Sequence, residues 1–63
     1  FELYDTVVLL EDDHDTGVKA AEGTVVYIQG NGEAYTVEFF DENGDTIEDA
    51  LFKDFLPSQL KKK

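Results

Sequence analysis

Two glycine-centred turns, Gly30-Asn31-Gly32 and Asn43-Gly44, bracket the run Ala34-Tyr35-Thr36-Val37-Glu38-Phe39-Phe40. Together they restrict the middle of the chain to an antiparallel meander. An Asn-Gly pair tolerates the positive φ of a tight hairpin turn whose twist matches its strands, which makes it the strongest short-range hairpin signal. The bracketed run alternates, so Tyr35, Val37 and Phe39 are expected to face a core and Thr36 and Glu38 to face water. Strict alternation puts Phe40 outside, whereas a bulge or bend would bury it, and the pattern leaves both readings open.

The remaining segments are read around that meander. Thr6 to Leu10 is a valine-rich apolar run between acidic residues, too short for a helix, and is taken as the first strand. Glu11 to Gly17 is charged and turn-prone, and with Val18 to Glu22 it makes a connection of about a dozen residues, long for so small a domain. Gly23 opens a second strand over Thr24 to Gln29, whose Tyr27 is placed at the flank of the core. Thr46 to Phe52 is taken as a fourth strand although Glu48-Asp49 interrupts it. Lys53 to Leu60 reads as a turn or 3₁₀ segment and a brief last strand, since Pro57 cannot donate to a ladder. Phe52 and Phe55 are expected to close the ends, and no helix is expected. The resulting fold class is all-β: a single domain over residues 1–63, a small five-stranded SH3-like barrel with a long acidic loop between strands 1 and 2 and a basic tail at 61–63.

Size and charge narrow the functions available. The chain has 63 residues and no cysteine, so an apolar core rather than a disulfide framework must hold it. Fifteen acidic against five basic residues give a net charge of −10, and setting aside the three terminal lysines leaves residues 1–60 at −13. Nucleic-acid affinity comes largely from cations that neutralise phosphates, so a body with only Lys19 and Lys53 argues against a nucleic-acid partner. Anionic membranes repel it for the same reason. No apolar run approaches a membrane span and no signal-peptide pattern is present, so a cytoplasmic protein is expected. The first residue, Phe1, is not methionine, which reads as a chain trimmed from a longer product.

Leu3-Tyr4-Asp5-Thr6-Val7-Val8-Leu9-Leu10-Glu11-Asp12, Gly23-Thr24-Val25-Val26, Glu33-Ala34-Tyr35-Thr36-Val37-Glu38-Phe39 and Pro57-Ser58-Gln59-Leu60 resemble a family of short, uncharacterised bacterial proteins known only as a domain of unknown function. The resemblance spans roughly residues 3 to 60. It implies an SH3-like barrel and, for some members, toxin-like or other uncharacterised gene neighbours, and it carries no catalytic residues. A weaker likeness, confined to Gly23-Thr24-Val25-Val26 and the strand after it, is to ribosome- and transcription-associated domains built on the same barrel, whose basic character is missing here.

Particular residues bear on three chemistries. Asp41-Glu42-Asn43-Gly44-Asp45 begins like a calcium loop, but the sixth position, which needs glycine, is Thr46, and the twelfth, which needs a bidentate glutamate, is Phe52. Glu11, Asp12, Asp13 and Asp15 surround the only histidine, His14, yet zinc sites draw on several histidine or cysteine ligands. Neither a nucleophile beside a base nor an enclosed cavity is expected in so small a barrel, so no enzyme, cofactor or small-molecule substrate is expected. A non-catalytic protein-interaction domain that binds a basic protein partner is expected, in the manner of an antitoxin, immunity protein, inhibitor or accessory subunit. Its binding residues are expected to be Tyr27, Phe40, Asp41 and Glu42 together with Glu11, Asp12, Asp13 and Asp15. The alternatives are a nucleic-acid- or ribosome-associated module and a divalent-metal-binding protein. Self-association through an exposed edge strand stays open.

Overall fold

Alternating apolar residues between tight turns can be buried only if a sheet presents one face to a core, and that is the arrangement found. The computed structural model describes residues 1–19 and 21–63; Ala20, in the expected connection between the first two strands, lies outside the described residues. Strands β1 (Thr6–Leu9), β2 (Glu22–Gln29), β3 (Ala34–Phe39) and β4 (Leu60–Lys62) form one antiparallel sheet in the order β3-β2-β1-β4. A one-turn helix α1 (Glu48–Leu51) and a 3₁₀ turn (Pro57–Gln59) lie between β3 and β4. Both glycine turns are where the sequence places them. Gly30 and Gly32 have φ of 59° and 95°, and Gly44 has φ of 84°, a region that L side chains rarely enter.

β2 contains one extra residue. Its register against β3 moves from Val25 opposite Val37 to Tyr27 opposite Thr36, so Val26 is a bulge. The bulge flips the side-chain alternation beyond it: Val25 and Ile28 face the core, while Tyr27, which unbroken alternation from Val25 would bury, is 60% exposed.

The core occupies one face of the sheet. Val7, Leu9, Val25, Tyr35, Val37, Phe39 and Leu60 point to it, and Val18, Ala50 and Phe55 cover it from the connection after β1, from α1 and from the segment after α1. Phe39 and Phe55 meet edge to face with centroids 5.3 Å apart, a geometry that adds to their burial. Gly23 is buried opposite Phe39. A Cβ there would lie 2.6 Å from Val37 Cγ1 and 2.7 Å from Phe39 Cδ1, so these two side chains occupy the room that the missing side chain leaves.

The expected five-stranded barrel is corrected on four points. Among the described residues the sheet has four strands and does not close, because β3 and β4 are its two ends and do not pair with each other. The expected fourth strand, 46–52, makes a single bridge, Thr46 to Phe40, and then coils into α1. Its residues turned to the core, Ile47 and Ala50, stand three apart as on a helix, and Glu48 and Asp49 sit in the first turn, where the helix dipole favours acids. The free edge of β3 is met instead by a second single bridge, in which Tyr35 and Phe55 exchange N–H···O bonds of 2.8 Å. Phe52, expected to close an end, is 88% exposed at the end of α1, whereas Phe55 is buried as expected. Lys61 and Lys62 are not part of a tail: they belong to β4, paired with Val8 and Val7.

Candidate functional site

The acidic loop after β1 closes on itself. Asp13 and Val18 form a bridge in which the Asp13 N–H donates to the Val18 carbonyl at 2.8 Å, and the Thr16 hydroxyl donates to the Asp13 carboxylate at 2.5 Å. Lys53, which follows α1, reaches back to this loop, its ammonium 2.6 Å from Asp13 and 3.4 Å from Asp15 and lying 5.7 Å from the centre of the Phe55 ring. The Asp13 side chain keeps only 10% of its exposure. The hydrogen bond from Lys53, followed by that from Thr16, holds its carboxyl below the usual carboxylate range, and the bond to Asp13 raises the Lys53 ammonium above its ordinary value. Val18 is the anchor of this arrangement, since it is fully buried. Of the loop acids named from sequence, Asp13 and Asp15 therefore share Lys53, while Glu11 and Asp12 are exposed beside a cleft of about 250 Å³ that Leu9, Leu10, Ser58 and Gln59 also line.

The other acidic segment is arranged differently. In the hairpin that follows β3, the Asp41 carboxylate accepts the N–H groups of Asn43 at 2.9 Å and Asp45 at 3.0 Å, and the Ile47 N–H donates to the Phe39 carbonyl at 2.9 Å. The turn is thus built by Asp41 itself, as Asx turns are. Asp41, Glu42, Asp45, Glu48 and Asp49 then crowd into nine residues, and among the described residues none of them has an ion pair. The lysines are engaged elsewhere: Lys53 with the loop, Lys62 with Asp5 at 3.7 Å and Lys63 with Glu22. Lys19 and Lys61 are the lysines outside these pairs among the described residues.

Phe40 settles outside, 43% exposed, as strict alternation requires. Continuing the β2–β3 register past Gly23 and Phe39 brings Phe40 and Asp41 alongside Glu22 and Ala21. The hairpin and the end of the connection thereby enclose an open groove of about 540 Å³ with Phe40, Ile47 and Ala21 as its apolar surface and Lys19, Asp41 and Glu42 on its rim.

The residues named from sequence therefore fall into three places. Phe40, Asp41 and Glu42 share the groove; Glu11, Asp12, Asp13 and Asp15 belong to the loop held by Lys53; and Tyr27 lies on the sheet face turned away from the core, opposite Thr36. Sequence reading missed Lys19, Ala21 and Ile47 in the groove. The register of β2 on β3 is the signal that could have found Ala21, while Lys53 is separated from Asp13 by 40 residues and no local pattern links them. His14 is exposed, and among the described residues no group of three His, Cys, Asp or Glu side chains is placed to hold a metal ion. Among them, too, no helix is long and apolar enough to cross a membrane.

Comparison with curated proteins found no match, and comparison with solved structures found none. The family described as Domain of unknown function (DUF4926) matches residues 3–60, which include all four strands up to the first residue of β4, both acidic segments and the groove. With nearly the whole chain covered, the protein belongs to the DUF4926 family.

Proposed function

We propose that this protein is a non-catalytic interaction domain that recruits a basic protein partner through the acidic lobe at residues 40–49. The observation that carries this reading is the uneven use of its few cations. Lys53 pairs with Asp13 and Asp15 of the connection after β1, Lys62 with Asp5 before β1 and Lys63 with Glu22 of β2, while the five carboxylates between Asp41 and Asp49 have no ion pair among the described residues. Unpaired charge concentrated on one lobe steers a partner of opposite sign and orients its approach. Phe40 supplies an apolar contact at the same place. A nucleic-acid-binding module would instead need clustered cations free for phosphate, and a metal-binding protein would need converging ligands. Antitoxin, immunity and inhibitor roles are each compatible with such a lobe. The strand order, the long connection after β1 and the 3₁₀ turn before β4 also support reading the fold as a relative of the SH3-like barrel in which α1 replaces a strand.

The test is an affinity capture from the native host with three baits: the natural chain, a variant with Asp41, Glu42, Asp45, Glu48 and Asp49 changed to Asn or Gln, and a variant with Glu11, Asp12 and Asp15 changed likewise. The expected result is a basic protein retained at low salt, released as salt screens the charges, retained by the loop variant and lost by the lobe variant. Capture of nothing at any salt, or equal capture by the lobe variant, would overturn the proposal.

A further inference from the structure

Charge alone attracts any basic surface, but the groove beside Phe40 has a shape and an apolar floor that charge does not require. Its volume of about 540 Å³ falls within the roughly 300–1,000 Å³ of ligand clefts, yet it is open to solvent rather than enclosed. A small molecule there would keep much of its surface in water. A segment of polypeptide tolerates that, since the groove need cover only one or two of its side chains while its backbone stays in water. The floor is apolar at Phe40, Ile47 and Ala21, and the wall formed by the hairpin carries Asp41 and Glu42.

From this juxtaposition, and resting on the proposed basic partner, we infer that the groove takes a segment of that partner in which an apolar side chain stands next to lysine or arginine. The apolar side chain packs on Phe40 and Ile47, and the neighbouring cation reaches the carboxylate of Glu42 and the rim at Asp41. Asp41 is held rigidly for this, because its carboxylate also accepts the N–H groups of Asn43 and Asp45. Lys19 is the opposing element. It stands on the rim with no ion pair among the described residues, so it weakens cation binding on its own side and favours a cation placed toward Asp41 and Glu42.

Two probes separate this inference from the reading it rests on: a peptide of four lysines around a central leucine, and the same peptide with serine at the centre. Each is titrated into ¹⁵N-labelled protein and followed by amide shifts. The leucine peptide is expected to bind about tenfold more tightly, which is what burying roughly half of a leucine side chain supplies. Its shifts should centre on Ala21, Phe40 and Ile47. Phe40→Ser should abolish the tenfold preference while leaving the weaker electrostatic binding, and Lys19→Glu, at an exposed position, should tighten both peptides about two- to fivefold. Equal binding of the two peptides, or shifts centred on Glu11 to Asp15 or on the Tyr27 face, would overturn the groove while leaving a basic partner standing. Binding of neither peptide would overturn both.

Discussion

Replacing Gly23 by alanine tests the packing of the sheet at its most crowded point. At an unstrained strand position this substitution ordinarily stabilises by about 0.4–1 kcal/mol, because it restricts the unfolded chain, and Gly23 has no positive φ to forbid it. The surroundings reverse the sign. The added methyl would lie 2.6 Å from Val37 Cγ1, 2.7 Å from Phe39 Cδ1 and 2.8 Å from the Glu38 carbonyl oxygen. Non-bonded carbons prefer about 3.5–4.0 Å, so both side chains would have to retreat by about 1 Å. Val37 and Phe39 are fully buried and have nowhere to go, and the carbonyl belongs to the backbone of β3. Overpacking of this kind costs about 1–3 kcal/mol, which leaves a net loss near 1–2 kcal/mol after the unfolded-state gain. For a domain of this size that lowers Tm by about 5–15 °C. Urea and thermal unfolding followed by circular dichroism would measure it. Val37→Ala in the same chain should recover part of the loss, so the double variant should be more stable than the two single changes predict when added. If Gly23→Ala is as stable as the natural chain, or more so, the close approach of β2 and β3 is not as described.

Four further outcomes follow from the same geometry. Lys53→Met should destabilise the protein at neutral pH by leaving Asp13 unpaired. Because the folded state lowers the Asp13 pKa, the stabilisation is complete above the ordinary carboxylate value of 3.8 and fades as pH falls through the lower folded value, so the gap between variant and natural chain should close in acid. The raised Lys53 pKa makes the same gap shrink at the other extreme, as pH climbs past 10.5, and a gap constant with pH in urea titrations would contradict the clamp. Phe55→Ala should cost about 3–5 kcal/mol and Phe52→Ser less than about 0.5 kcal/mol, a contrast readable from two melting curves. Asp41→Ala, which removes the acceptor that builds the hairpin, should lose about 0.5–2 kcal/mol by analogy with helix caps, with amide exchange quickening at Asn43 and Asp45 rather than across the sheet.

How much of this was legible in the sequence depended on the distance over which residues act. The two hairpin turns and the inward set Tyr35, Val37 and Phe39 were readable, because glycine conformation and period-two alternation are local. The reversal at Tyr27 was not, since the bulge at Val26 appears only when β2 is laid against β3 and an extra residue has to be absorbed. Residues 46–52 misled because Thr46, Ile47, Ala50, Leu51 and Phe52 look like an interrupted strand, whereas Ile47 and Ala50, three apart, face the core from a single helical turn. Of the candidate site, Phe40, Asp41 and Glu42 came from neighbouring positions in the chain and stayed together. The acids at 11–15 were legible as a charged loop, but their attachment to Lys53 was not, because the lysine arrives from 40 residues away.

The single-residue bridges at Tyr35 and Phe40 bear on the edges of the sheet. Tyr35 holds Phe55, and Phe40 holds Thr46, so the outer side of β3 is already occupied at both ends. The other terminal strand of the sheet is β4, which is three residues long and two of them are lysine. Bringing two such strands side by side would set ammonium against ammonium, with Lys62 and Lys63 drawn back toward Asp5 and Glu22. Short length and lysine are the devices by which natural sheets discourage strand-to-strand polymerisation. In a chain of net charge −10, positive charges thus stand along the β4 edge, where like charge and short length disfavour pairing with another strand.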